Sequence, residues 1–303
     1  TPQGVAFESP FDGVYPGEDI VAITNTLPAV IGPDPGFGLC AAPPAGAGFT
    51  LGTITEFARS SLNTGTPGSP GYNDLLEPFN NSPVTALDDT TMTMPYSANA
   101  TIGGCDTFLL GPVGAAFDQT GFLFVVNEAA VSAGGPGFVT VYLPGEYGNT
   151  YPFAAIGIPG SDTEGIFKDP AYVTVSSALD FFDDVIFVTD VGDNSVKIVA
   201  PFTDGCEGPP FFFCQGTLLG TIQGNKTRLK RPEGVALGVD DGALYVVSDA
   251  KNSLLMFTDF TESGGNISPT LILSGKSPRM NLPVDVALPE FTPSAIRTGG
   301  ATN

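Results

Sequence analysis

Histidine and tryptophan are absent from this 303-residue chain. Without imidazole, Ser-His-Asp and Cys-His triads, His-ligated zinc or haem, and the usual near-neutral proton shuttle are all closed. Basic residues are scarce too, with 11 Lys and Arg against 32 Asp and Glu, for a formal net charge of −21. Such a surface repels phosphate backbones and anionic lipid headgroups, so no nucleic acid is expected as a partner. No apolar run reaches the ~18 residues that cross a bilayer, so no membrane span is expected either. Charged residues make up only 14% of the chain and hydrophobic ones 42%, with a mean hydropathy of +0.18. That balance fills a core and is unlike a disordered acidic tail.

What is abundant is glycine and proline, 39 and 28 residues, more than a fifth of the chain. Glycine costs a helix entropy and proline removes a backbone donor, so a helical bundle is excluded. The four cysteines, Cys40, Cys105, Cys206 and Cys214, have no CxxC spacing and their number is even. Disulfides are the expectation, against the alternative of four buried thiols. Three connectivities exist; the short loop favours Cys206 with Cys214, leaving Cys40 with Cys105. Disulfides and an opening at Thr1-Pro2, as in a processed exported protein, place the chain in an extracellular or periplasmic compartment.

The main signal is a repeat. A proline followed by small and β-branched residues recurs at Pro2, Pro112, Pro170, Pro232 and Pro283, for instance Pro112-Val113-Gly114-Ala115-Ala116-Phe117 and Pro232-Glu233-Gly234-Val235-Ala236-Leu237. After the first four copies come a polar turn and a β-prone run at 19–25, 122–127, 185–190 and 244–249. The turns carry hairpin chemistry, as in Asp118-Gln119-Thr120-Gly121. Third runs follow at 138–142, 196–199 and 254–257, and fourth runs at 217–222 and 270–273. Four short strands per unit, at anchor spacings of 58, 62 and 51 residues, match the blade of a β-propeller, in which sheets stack face to face around an axis.

The segment from Arg231-Pro232-Glu233-Gly234 to Leu254-Leu255-Met256-Phe257 resembles the NHL-repeat family of β-propellers, and the likeness extends over roughly residues 108–290. It is a likeness of fold and implies no particular activity. The expectation is a single all-β propeller over 1–291, of about six four-stranded blades with five or seven open, followed by a C-terminal tail at 292–303. Gly/Pro-rich stretches at 32–48 and 63–83 read as long outer loops, and the 110 residues between Pro2 and Pro112 leave room for two blades. Both Pro2–Phe7 and Pro283–Leu288 read as innermost strands, one more than a closed ring needs. Either the last blade is completed within the chain or a terminal strand completes a neighbour's sheet, a head-to-tail exchange.

Residues 1–167 hold 16 acidic residues and one basic, Arg59, whereas 168–303 hold 16 acidic and 10 basic. Lys226, Arg228, Lys230 and Arg231 fall within six positions, a candidate interface for an acidic neighbour or an anionic glycan, beside the alternative of ordinary solvated loop charge. Phe211, Phe212 and Phe213 cannot all face one core in an extended strand, so they are a second candidate interface, or else pack beneath a Cys206–Cys214 loop.

Gluconolactonase-like and regucalcin-like propellers, similar to this repeat only in architecture, hold calcium at the axis through carboxylates and Asn. That similarity makes Asn25, Asn127, Asp190 and Asp249 candidate metal ligands by repeat position, with turn capping as the structural alternative. Amidating lyases of similar architecture use His-bound zinc, which this chain cannot supply. The run Asp190-Val191-Gly192-Asp193-Asn194-Ser195 has calcium-type oxygens but lacks the twelve-residue loop with its closing Glu. N-x-S/T sequons stand at Asn80, Asn99, Asn225 and Asn266.

The resulting expectation is an extracellular, non-catalytic interaction or structural propeller. It has no obligatory cofactor, with calcium the one possible exception. Its expected partners are copies of itself, another extracellular protein or a glycan. The alternative is a calcium-dependent lactonase-like hydrolase with an axial site.

Overall fold

The computed structural model describes residues 2–8, 20–26, 52–58, 101–103, 107–128, 136–144, 146, 150–158, 163–176, 184–202, 216–238, 242–275 and 280–288; in the first four of these segments few side chains are described. These residues form four sheets, each with four antiparallel strands, the third joined by a fifth, parallel strand at its outer edge. The first contains β1 (Pro2–Glu8), β2 (Ile20–Thr26), β3 (Gly52–Ala58) and β4 (Thr101–Gly103). The second contains β5 (Pro112–Phe117), β6 (Leu123–Asn127), β7 (Phe138–Tyr142) and β8 (Ala154–Ile156). The third contains β9 (Pro170–Ser176), β10 (Val185–Asp190), β11 (Ser195–Ala200) and β12 (Thr217–Ile222). The fourth contains β13 (Pro232–Leu237), β14 (Leu244–Ser248), β15 (Ser253–Phe257) and, after the short β16 (Gly264–Gly265), β17 (Leu271–Ser274). No helix among the described residues is long and apolar enough to cross a membrane.

Each sheet is a simple meander whose first strand is a Pro-led segment, and β1, β5, β9 and β13 lie beside one another in sequence order. This is the arrangement of propeller blades around an axis, so the chain is a β-propeller. The fifth anchor continues the ring: Gly234 N donates to Val284 O at 2.8 Å, although 283–288 form no assigned strand. In the first third β3 pairs directly with β4, while residues 9–19, 27–51 and 59–100, where the room for a second blade lies, fall outside the described residues. Residues 32–48, 63–83 and 292–303, the four cysteines and Phe211–Phe213 lie outside the described residues.

Prolines open the inner strands because that position needs no ladder donor. In each sheet the register slips at or just after the proline: between Pro2 and Gly4, Pro112 and Ala115, Val188 and Asp190 opposite Pro170, and Pro232 and Val235. The bulge lets the inner strand curl at the crowded axis. Two residues on, Gly114 and Gly234 each face the next blade's Tyr172 or Asp285. A Cβ on Gly114 would lie 2.7 Å from Ala171 O and Tyr172 Cα, and one on Gly234 would lie 2.4 Å from Asp285 Cα. Glycine therefore stands where the next blade's backbone leaves no room.

Between blades the core is apolar. Phe124, Val126, Val139 and Val141 of the second sheet pack on Val173, Ile186 and Val188 of the third, and Phe187, Val196 and Ile198 on Val246, Leu255 and Phe257 of the fourth. Threonines of the second strands reach the next blade's inner strand: Thr24 Oγ1 donates to Val113 O at 2.8 Å, and Thr189 Oγ1 to Glu233 O at 2.5 Å. The outer edge of the third sheet is covered by β16, which pairs in parallel with β12 and shields its unpaired groups.

Candidate functional site: the strand-entry end of the propeller

Each inner strand starts opposite the end of its neighbour, pairing Pro2 with Asn25, Pro112 with Asn127, Pro170 with Asp190 and Pro232 with Ser248. The repeat position proposed for metal ligands is thus filled in the fourth sheet by Ser248, and Asp249 lies one residue beyond it, opening a 3-10 turn, Asp249–Lys251. The sequence alignment slipped by one because an Asp, the residue type at this position in the third blade, follows the strand.

The side chain at this position does the same work in three sheets. It accepts the N–H of the residue two before the proline: Leu110 N to Asn127 Oδ1 at 2.9 Å, Lys168 N to Asp190 Oδ2 at 2.8 Å, and Lys230 N to Ser248 Oγ at 3.0 Å. The following residue's N–H completes the lock by donating to the residue before the proline, as Glu128 N to Gly111 O, Val191 N to Asp169 O and Asp249 N to Arg231 O. Asp190 is saturated further by Asp169 N and Gly192 N, both 3.0 Å from Oδ1. Asn127 Nδ2 donates to Val125 O and Thr140 Oγ1. These buried polar groups fasten the loop entering each inner strand, in the capping role set out as the structural alternative. The side chain of Asn25 lies outside the described residues. Among the described residues no group of three or more Cys, Asp or Glu stands together as a metal site.

The same end carries acidic residues that sequence reasoning passed over. Glu128 follows β6, Asp169 precedes Pro170, Glu233 follows Pro232, and Asp285 lies two beyond Pro283. Burial raises all four carboxyls above their ordinary values. Asp169 and Glu233 add to the rise at Glu128, Asp190 adds to it at Asp169, and Arg231 opposes it at Asp169 and Glu233. Tyr172, on the inner strand β9, is pushed up to about 12 by burial and by the fields of Asp285, Glu233 and Glu128. The available signal was their placement within two residues of the anchor prolines or of a strand end.

Arg231 is held at φ 49° by Asn194, whose Oδ1 accepts its N–H at 2.8 Å, and its guanidinium reaches Glu233 at 3.4 Å and Asp249 Oδ2 at 3.6 Å. Asn252 repeats this contact by accepting from Leu282 N at 2.7 Å. Lys226, Arg228 and Lys230 project from the loop entering β13, and all four bases of the cluster are exposed, as expected. Elsewhere Leu271 and Leu273 of β17 are 58% and 47% exposed, and Leu282 and Val284 of the following segment are 60% and 56% exposed.

No protein-family model matches the sequence, and no curated protein matches it. Solved structures with some similarity include a protein from Lactobacillus plantarum at 16% identity and TM-score 0.35, covering 58% of this chain and 46% of that one. A putative 6-phosphogluconolactonase from Bacteroides fragilis is 13% identical with TM-score 0.42, covering 88% of this chain and 69% of that one. Virginiamycin B lyase from Staphylococcus aureus is 13% identical with TM-score 0.37, covering 94% and 73%. This chain thus spans under half the length of the Lactobacillus protein. Nothing of these proteins' chemistry is carried over at such similarity; the propeller assignment stands on the chain's own sheets.

Proposed function

We propose that the chain is a non-catalytic, NHL-like propeller module that works outside the cell and associates with copies of itself. The observation that carries this reading is the repeated lock. The buried oxygens of Asn127, Asp190 and Ser248, at the position where an axial site would draw its ligands, hold backbone N–H groups of the fold itself. Exposed Leu271 and Leu273, two residues apart on β17, and exposed Leu282 and Val284 support association, since exposed apolar side chains favour a protein partner. The test is light scattering of the purified chain over a hundred-fold concentration range, with lactone turnover assayed in calcium and in chelator. Concentration-dependent association without turnover in either condition is expected; calcium-dependent turnover by a monomer would overturn it.

A second reading draws on a different observation. The partly buried, proton-retaining carboxyls of Glu128, Asp169, Glu233 and Asp285 around Tyr172 suit acid–base work in a hydrolase better than the strand-end residues do, although no three of them stand together as a metal group. Under it, Glu233→Gln with Asp285→Asn abolishes turnover without loss of fold.

A further inference from the structure

Six of the 11 basic residues lie at one end of two adjacent blades. Lys168 and Lys230 occupy the same repeat position, two before the anchor proline, where each backbone N–H is locked to the strand-end acceptor. Lys226, Arg228 and Arg231 belong to the same entering loop as Lys230, and Lys251 sits in the 3-10 turn that follows β14. The turn after β10 packs on this end as well: a Cβ on Gly192 would lie 2.7 Å from Lys168 Cβ, and Asn194 holds Arg231 N. All six side chains are exposed.

Of the six, only Arg231 is ion-paired with a described residue. Arg231 reaches Glu233 and Asp249, and Lys197, a base of the third sheet outside this group, reaches Asp193 at 2.6 Å. Lys168, Lys226, Arg228, Lys230 and Lys251 form no ion pair with any described residue, in a chain that holds 32 carboxylates. The loop is also stiffly held. Thr227 Oγ1 donates to Gly224 O at 2.7 Å and accepts from Leu229 N at 3.3 Å, Leu229 is buried, and Lys226 N is held by Asn266 Oδ1 at 2.9 Å. The bases are therefore presented on a fixed frame, which lowers the ordering cost of a contact.

We propose that this cationic end, across the third and fourth sheets, is the docking surface for the acidic surface of a second copy of the chain. The proposal rests on the self-association reading and names its surface. Charge complementarity selects the partner: the first 167 residues carry 16 acidic residues and one basic, so a second copy carries the sign opposite to that of the patch. Two molecules of charge −21 repel at long range, but screening within ~8 Å at physiological salt mutes that repulsion while leaving direct contacts. A patch on one end meeting acid elsewhere is a heterologous contact, which propagates head to tail.

The test is sedimentation velocity on the full chain, comparing wild type with K168E/K226E/R228E/K230E/K251E and with the same five positions changed to Gln. Arg231 is left in place because it supports Glu233 and Asp249. Wild type should associate, and more weakly as salt is raised from 50 to 500 mM. The Glu variant should stay monomeric alone, and the Gln variant should associate at least ~10-fold more weakly. Mixed with wild type, the Glu variant should still cap growing chains, because its acidic surface is intact. Unchanged self-association of both variants, each folded by circular dichroism, would overturn the surface and leave self-association standing. A wild type that is monomeric throughout would overturn both. Salt-sensitive binding of an acidic polysaccharide, lost in the variants while self-association persists, would reassign the patch to a glycan.

Discussion

Asp190→Ala removes the acceptor for three backbone N–H groups at once, those of Lys168, Asp169 and Gly192, all within 2.8–3.0 Å of a fully buried carboxylate. Hydrogen bonds to a charged group contribute about 1.5–3 kcal/mol each, but deletions within one network are not additive, and loops near the surface recover some bonds to water. A loss of about 3–5 kcal/mol is expected, roughly a 10 °C fall in Tm for a chain of this size. Asp190→Asn keeps one good acceptor, as Asn127 shows in the second blade, and should cost about 1–2 kcal/mol. Ser248→Ala removes a single acceptor for Lys230 N and a donor to Lys230 O, and should cost about 1–2 kcal/mol. Urea unfolding, run with calcium and with chelator, measures all three. If Asp190→Ala costs under about 1 kcal/mol, or if calcium stabilises wild type and not the variant, the carboxylate is not a backbone lock and the reasoning fails.

Other outcomes follow from the axis and its charges. Gly114→Ala and Gly234→Ala drive a methyl into the next blade's backbone and should each cost about 1–3 kcal/mol, whereas Gly242, with nothing within 4 Å of its Cβ position, should pay only for its positive φ; parallel denaturation curves decide. Thr189→Val leaves Glu233 O and Tyr172 N without their hydroxyl partner and should cost about 1–3 kcal/mol, read as a lower urea midpoint. Burial raises the carboxyls of Glu128, Asp169, Glu233 and Asp285, so the folded chain keeps protons that the unfolded chain has released. Their contribution to stability is complete below the ordinary carboxylate range and is lost as pH rises through the raised values. Tm should therefore climb as pH is lowered through these raised values toward the ordinary carboxylate range, and Glu233→Gln with Asp285→Asn should flatten the climb; no difference between wild type and variant would count against it.

Much of the fold was legible because each blade is written in local signals. The runs at 138–142, 185–190 and 217–222 coincide with β7, β10 and β12, and the anchor prolines open β1, β5, β9 and β13. In the first third strand spacing carried little information, because residues 59–100 separate β3 from its partner β4 along the chain. The short β8, Ala154–Ile156, was missed since three residues cannot show a period of two. At the strand ends, residue type alone could not separate a ligand from a lock. Asp190 and Asn127 suit both roles, and only the register opposite proline distinguishes Ser248 from Asp249. The axial acids were visible as residues but not as a set, because three-dimensional proximity of Glu128, Asp169 and Glu233 arises only when the sheets stack.

The most direct measurement is negative-stain electron microscopy of the purified chain over a range of concentration and salt. Propellers joined end on into chains that shorten as salt is raised are the predicted result. Isolated single particles under every condition, from a preparation that hydrolyses a lactone only when calcium is present, would contradict the account.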